Sequence, residues 1–319
     1  MLSRLFLGAL FIVAAVLKLL SIDAFEVYIY SFGLCSYTWT TFFSRLLIFT
    51  ELFLGLSLIF KIHFRRIWQL AMLLMLGFTL FLVYAAIFRN DSNCHCFGSL
   101  IELDPWQSIV KNIIIIALLL LIRKEESHAY RPVQWKWLFG GILVLSLAIP
   151  FVAVPMDVVY NRIYSEKENI NTSAFYQSLS DSTYVDFLNV LPEKTADSVV
   201  FEHETRLMDV SSGRYLINYA LSGCKFCKTG AEKLSLMFDR HGISHDKLKF
   251  VVIGSDYSIS EFVKVTSTYD YPHWRISLPK MMDITFGNFP LYVLVEDGKV
   301  IMAGDFRMID DQMLQEYFK

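Results

Sequence analysis

Two cysteine pairs are the residues of this 319-residue chain whose type and spacing could do chemistry. Cys94 and Cys96 stand one residue apart in Asn93-Cys94-His95-Cys96-Phe97-Gly98, and Cys224 and Cys227 stand in Cys224-Lys225-Phe226-Cys227. A Cys-His-Cys can serve as a metal ligand set, because soft thiolates with an imidazole bind copper or zinc. It can also be a structural staple, or a redox couple that opens and closes. The spacing favours the redox reading: a disulfide between Cys94 and Cys96 closes a small strained ring, and strained, exposed disulfides are oxidising and labile. A Cys-x-x-Cys can be half of a zinc site, an inert disulfide or a reactive dithiol. Zinc needs further ligands at matching spacing, and with no second Cys-x-x-Cys the remaining candidates are His203, His241 and His245. The fifth cysteine, Cys35, could complete a metal site or make a resting disulfide with Cys94 or Cys96. The odd total leaves the pairing open.

What must position these thiols follows from composition. With 55% hydrophobic residues and a mean hydropathy of +0.44, the chain is too apolar for one ordinary soluble domain and reads as a membrane protein. A net charge of −2 gives no reason to invoke nucleic acid. A span needs about 20 mostly apolar residues. Segments of that kind are expected over residues 5–20, 41–60, 67–88, 106–122 and 137–154, the last with Pro150 near its end, and Trp68, Trp106, Trp135 and Trp137 stand where interfacial anchors belong. Lys61, Arg65 and Arg66 join the second and third segments, and Arg123, Lys124, Arg131 and Lys136 join the fourth and fifth. Residues 22–40 carry no Lys or Arg, and residues 89–105 only Arg89. Loops rich in Lys and Arg stay cytoplasmic, so the amino terminus is expected inside and everything after Val154 outside. All the cysteines then lie on the outer side, where disulfides persist. A rival reading of residues 1–24 as a cleaved signal peptide leaves this arrangement unchanged.

The second half is a different polymer. Residues 157–210 are polar and read as a stalk with short amphipathic stretches; beyond them strand and helix signals alternate. RYLINYA reads as a strand, SGCKFCKTGAEKLSLMFDR as a helix beginning at the cysteines, LKFVVIG as a strand, LYVLV and KVIMAG as a hairpin around Asp297-Gly298, and IDDQMLQEYF as a closing helix. That order is the thioredoxin plan. Cys224 is expected at the helix start, where unpaired amides and the helix dipole favour thiolate and Lys225 and Lys228 add positive charge, so it should attack. Cys227 falls in line with Ala231, Leu234 and Phe238 on the core face and should resolve the mixed disulfide.

The region from Ser212 to Lys319 resembles the thioredoxin-like family through SGCKFC and FGNFPLYVLVEDGKV. The resemblance implies a cis-proline at Pro290, after Phe289, with the backbone there receiving a substrate chain as an added strand. Two departures stand out: the intervening dipeptide is Lys225-Phe226, and Asn218 occupies the position where the family carries a buried acid, which should slow deprotonation of Cys227. Residues 4–121 resemble the MauE family and the wider DoxX-like membrane proteins, through Cys94-His95-Cys96-Phe97-Gly98, Trp106, and ELFLGLSL from Glu51. This implies a four-helix membrane domain engaged in thiol–disulfide traffic; MauE itself is assigned to maturation of a disulfide-rich methylamine dehydrogenase subunit.

The expected architecture is a membrane α-helical bundle plus an α/β thioredoxin-like domain. The expected divisions are a bundle over 1–125, a fifth span within 126–156, a stalk over 157–210 and a thioredoxin-like domain over 211–319. Ionisable residues inside spans are functional candidates. Lys18, Arg45 and Lys111 fall in the outer halves of their segments, where they could favour thiolate or a quinone headgroup, and Glu51 lies deeper as a counter-charge or proton path; snorkelling and a simple ion pair explain them equally well. The function expected is electron exchange between the two cysteine pairs, in the inner membrane of a bacterium with the thioredoxin-like domain periplasmic. The partners expected are the bilayer, exported proteins with thiols or disulfides, and a quinone as candidate acceptor. Oxidation of clients is slightly preferred over reduction. A metal-handling protein and a non-enzymatic adaptor are the other readings.

Overall fold

A computed structural model describes residues 2–89, 103–123, 134–164, 170–180, 185–190 and 199–319. Cys94, His95 and Cys96 lie outside them. The chain forms two compact units, Met1–Met156 and Asp157–Lys319.

In the first unit the helices long and apolar enough to cross a membrane are α1 (Leu2–Leu20), α3 (Tyr37–Ile59), α4 (Phe64–Phe88), α5 (Pro105–Ile122) and α6 (Gln134–Ala153, its apolar window starting at Lys136). α1 and α3 cross at two glycines. A Cβ on Gly8 would sit 2.8 Å from the Gly55 carbonyl oxygen and one on Gly55 2.8 Å from that of Gly8, so only small residues permit this approach. Gly55 belongs to the ELFLGLSL stretch. Arg4 closes the same seam by donating to the carbonyls of Leu58 and Ile59. α5 starts on a capping box between Asp104 and Gln107 with Pro105 in its first turn. α4 and α5 turn Leu73, Leu80, Ile113 and Leu121 outward, the lipid-facing side of a helix bundle. Residues 22–40, expected as a plain outer loop, hold an additional short helix, α2 (Ile22–Tyr30), whose Phe25, Glu26 and Val27 are buried.

The second unit is α/β. Its elements are α7 (Asp157–Tyr164), α8 (Thr172–Ser180), β1 (Val185–Val190), β2 (Phe201–Glu204), β3 (Arg214–Leu221), α9 (Lys225–His241), β4 (Leu248–Ile253), α10 (Asp256–Thr266), β5 (His273–Ile276), α11 (Leu278–Thr285), β6 (Leu291–Glu296), β7 (Lys299–Gly304) and α12 (Asp311–Phe318). The seven-stranded sheet runs β2-β1-β5-β4-β3-β6-β7. β3, β4 and β5 are parallel neighbours joined by helical crossovers, and β6 and β7 extend the sheet antiparallel from β3. A parallel βαβ core completed by an antiparallel hairpin and a closing helix is the thioredoxin-like arrangement. The hairpin turns on Asp297 and Gly298, both at positive φ, the backbone a two-residue turn demands.

The stalk expected over 157–210 differs from what the fold does with those residues. β1 pairs antiparallel with β5, placing Phe187 opposite Trp274 with the rings 5.1 Å apart. Ala174 and Phe175 of α8 join the core of Trp274, Met281 and Ile284. The polar composition misleads because β2 is an edge strand with mostly exposed residues, and α8 and β1 bury only two or three side chains each.

Candidate functional site

The site is built at the carboxyl end of the central strand β3. β3 ends at Leu221, and the chain turns through Ser222-Gly223 before α9, held by Cys224 N–H donating to the Leu221 carbonyl at 3.0 Å and Ser222 N–H to the Ile253 carbonyl at 3.1 Å. Cys224 is the N-cap of α9: its sulfur accepts from the Cys227 amide at 3.3 Å. A sulfur there faces the first-turn amides that no carbonyl of the helix satisfies. Cys224 is half-exposed while Cys227, one turn on, is fully buried with Ala231, Leu234 and Phe238. Both carry thiols. Burial raises the Cys227 thiol far above its ordinary value, and hydrogen bonding to Cys224 adds to the rise. The two sulfurs are therefore unequal by position alone, one accessible at the helix start, the other sealed and held neutral.

Between them Phe226 is 56% exposed, an apolar side chain presented at the mouth of the site. The Phe289–Pro290 peptide is cis and immediately precedes β6. Leu291 lies opposite Tyr219 of β3, so Pro290 stands at the same end of these paired strands as Cys224. Phe289 packs on the core and Pro290 is buried.

The membrane-unit candidates fall into two groups. Lys18 of α1 and Glu51 of α3 make a buried ion pair at 2.5 Å, and both line a cavity of about 30 Å³ with Lys111, Asn112, Phe11 and Phe78. Arg45 is elsewhere. It pairs with Glu26 of α2 and donates to the carbonyls of Val154 and Pro155 at 3.0 Å each. The three basic residues expected to act together are thus divided: Lys18 and Lys111 face one cavity, and Arg45 fastens α2 and the end of α6 to α3. Glu26 escaped sequence reasoning, although an acid flanked by apolar residues next to a span was a legible signal. Cys35 is half-buried with its sulfur 3.3 Å from the Thr40 hydroxyl.

The three histidines weighed as zinc ligands each join a different carboxylate, His203 to Asp256, His241 to Asp311 and His245 to Asp239. Among the described residues no cluster of three or more His, Cys, Asp or Glu could hold a metal ion.

Fold and site together define a class: an α-helical membrane bundle joined to a thioredoxin-like domain whose Cys-x-x-Cys opens its first long helix. Residues 1–123 match the family described as methylamine utilisation protein MauE. Along most of its length the chain is similar to protein TlpB of Flavobacterium psychrophilum, 26% identical over 309 residues, covering 86% of this chain and 82% of that one. StoA of Bacillus subtilis (14% identity, TM-score 0.30) spans 42% of this chain and 96% of its own. The thioredoxin domain of a thiol-disulfide oxidoreductase from Bacteroides vulgatus (12%, TM-score 0.30) spans 42% and 94%.

Proposed function

We propose that this membrane protein is a thiol–disulfide oxidoreductase in which Cys224 attacks, Cys227 resolves, and electrons pass between this pair and Cys94–Cys96 of the bundle. The observation that carries the reading is the inequality of the two sulfurs: an accessible Cys224 capping α9 over a sealed Cys227. In the oxidative direction a client dithiol reduces the Cys224–Cys227 disulfide through a mixed disulfide at Cys224. The domain, now a dithiol, then passes two electrons and two protons to the Cys94–Cys96 disulfide by the same exchange. Joining both pairs in one chain raises the effective concentration of each at the other. The edge before Pro290 receives the client's extended backbone beside Phe226.

The distribution of Lys and Arg supports a periplasmic thioredoxin-like domain, and exported proteins with cysteines are the proposed clients. Beyond Cys94–Cys96, a two-electron acceptor of the quinone class fits the redox balance. The cavity at Lys18 and Glu51, about 30 Å³, has room for roughly one or two waters.

The test is acid quenching of intact cells followed by alkylation. A Cys227→Ser variant should accumulate mixed disulfides through Cys224, and a Cys96→Ser variant should shift the resting state of Cys224–Cys227 toward thiol. Clients captured with no change on replacing Cys224 by Ser would favour the adaptor reading. A stoichiometric metal in the purified protein, lost on replacing Cys94 and Cys96, would favour metal handling.

A further inference from the structure

The centre of the membrane bundle holds an acid with one oxygen in use and one to spare. Glu51 Oε1 meets Lys18 Nζ at 2.5 Å, while Glu51 Oε2 is sealed with no hydrogen-bond partner among the described residues. Glu51 is 4% exposed, and it lines the cavity of about 30 Å³ together with Lys18 of α1, Lys111 and Asn112 of α5, and Phe78 of α4. A carboxylate oxygen surrounded by hydrocarbon is costly to leave bare, and ionisable residues inside spans are paired or mark paths for ions and protons. Volume and lining both fit water. Roughly one or two molecules fill such a cavity, and each needs about two to four polar partners, which Glu51, Lys111 and Asn112 supply. The polar track continues beyond it: Asn112 Nδ2 donates to the Thr79 hydroxyl of α4 at 3.4 Å, and that hydroxyl donates to the Met75 carbonyl at 2.7 Å. Lys18 is held by more than its carboxylate, since its ammonium sits 5.6 Å from the Phe78 ring centre and 5.9 Å from that of Phe25. A proton arriving at Glu51 therefore finds Oε1 taken and Oε2 open. Lys111 and Asn112 lie about 10 Å along α5 from its first residue, Pro105, and Cys96 stands nine residues before Pro105.

We propose that this cavity is a hydrated proton site, in which Glu51 takes a proton on Oε2 from an ordered water and returns it, serving the transfer from the Cys94–Cys96 thiols to a quinone-class acceptor. The inference rests on the proposed electron route through Cys94–Cys96 to that acceptor. Exchange between Cys224–Cys227 and Cys94–Cys96 turns one dithiol and one disulfide into another such pair, so it releases no net protons. Reoxidation of the bundle dithiol is different: two S–H bonds break, one S–S bond forms, and two electrons and two protons leave. The acceptor takes both electrons and gains two O–H bonds. In the carrier step a proton shed by a thiol enters the cavity water as the water passes one of its own to Oε2. On return the Oε2–H bond breaks and the proton leaves through the same water toward the acceptor. Glu51 ends each cycle as the carboxylate it began as, and Lys18 keeps its ammonium throughout. The charged groups facing Glu51 are Lys18 on α1 and Lys111 on α5; α4 presents Met75 and Phe78 to the cavity, neither ionisable. α6 packs on α3 through Ile149, and Arg45 with Glu26 forms a separate pair nearer the start of α3.

The experiment uses the full-length chain in detergent, with a short-chain ubiquinone as acceptor and acid quenching followed by alkylation to follow Cys94–Cys96. Two rates are taken: reduction of Cys94–Cys96 when the oxidised chain meets a protein dithiol, and its reoxidation when the reduced chain meets the quinone. If reduction survives Cys224→Ser, or the wild-type chain is not reoxidised by the quinone, the electron route fails and this inference with it. With that route standing, Glu51→Gln should slow reoxidation on the order of 10²-fold, as for loss of a proton-transfer group, and flatten its pH dependence, with reduction unchanged. Glu51→Asp keeps the carboxyl and should restore most of the rate and the wild-type pH profile. Because Glu51→Gln strips Lys18 of its counter-charge, a double variant, Lys18→Met with Glu51→Gln, removes both charges together. A purely structural ion pair predicts native reoxidation in the double variant, whereas a proton site predicts the same loss on the order of 10²-fold. Asn112→Leu removes a partner of the water without touching the ion pair and should slow reoxidation about tenfold, the worth of roughly one hydrogen bond; it decides the matter should the Glu51 variants unfold. A native reoxidation rate and pH profile in Glu51→Gln or the double variant, or in Asn112→Leu where those do not fold, overturns the proposal.

Discussion

The two units differ in the polar groups they seal at their centres. In the membrane bundle the sealed charges are matched partner to partner, Lys18 with Glu51 and Arg45 with Glu26. Among its described residues the thioredoxin-like domain has one such pair, Lys233 with Asp157, but beneath α9 the sealed polar side chains are the neutral Asn218 and Tyr292. The difference is one of solvent. A lone charge surrounded by hydrocarbon has no water to fall back on, so the bundle can keep it only beside a counter-charge. A water-exposed domain buries a neutral amide or hydroxyl at far lower cost than a charge. Matched charges hold helices together, whereas a neutral amide or hydroxyl asks for no counter-charge.

The comparison breaks most visibly at Cys224. Cys224→Ser should abolish disulfide exchange with a protein dithiol, a loss on the order of 10³-fold or more as expected for removal of a nucleophile, measured in a coupled turnover assay; retained exchange would mean that chemistry does not start in this unit. The next largest effect belongs to the bundle. Glu26→Gln strands Arg45 in a sealed site, and losing one partner of a buried pair costs about 3–5 kcal/mol. Thermal unfolding in detergent should show a markedly lower midpoint, and an unchanged one would mean that Arg45 is satisfied by its carbonyl contacts alone.

A pH test sharpens the contrast from the other side. His273 is fully buried between Thr268 and the Tyr271 carbonyl, stacked on Phe250, and burial depresses it to about 4 from its ordinary 6.5. Its neutral form is the one the fold accepts, so the unfolded chain binds the extra proton below pH 6.5. Stability should fall as pH drops from about 6.5 toward 4, and His273→Asn should flatten that slope in denaturant titrations. A wild-type slope retained in His273→Asn would assign the acid sensitivity to other groups. The smallest effect expected is at Gly230. The added methyl of Gly230→Ala meets the Tyr292 hydroxyl at 2.2 Å and the Phe306 Cβ at 3.0 Å, and overpacking of this kind costs roughly 1–3 kcal/mol. The midpoint should drop modestly, and Tyr292→Phe should relieve part of the loss; no drop would show that α9 stands farther from β6.

Much of this was readable in advance where the physics is local. The spans follow from runs of apolar residues, because hydrocarbon accepts little else. The start of α9 follows from the Cys-x-x-Cys and the apolar spacing after it, and the hairpin from Asp297-Gly298. The stalk was misread for the same reason: residues 157–210 have little local pattern, and Phe175 and Phe187 become core only when Trp274 and Ile284, far along the chain, arrive to cover them.

By itself, then, the amino-acid order determined which stretches enter lipid, which sulfurs can pair within a helical turn, and which strands surround them. Each depends on residues a few positions apart. The tertiary structure alone decided that Arg45 belongs with Glu26 and Lys18 with Glu51. It also decided that Tyr292 stands against Gly230, one turn beyond Cys227. Those pairings join residues between 19 and 62 positions apart in the sequence. Which distant side chains meet depends on how whole elements pack, and that geometry leaves no periodic trace in the chain.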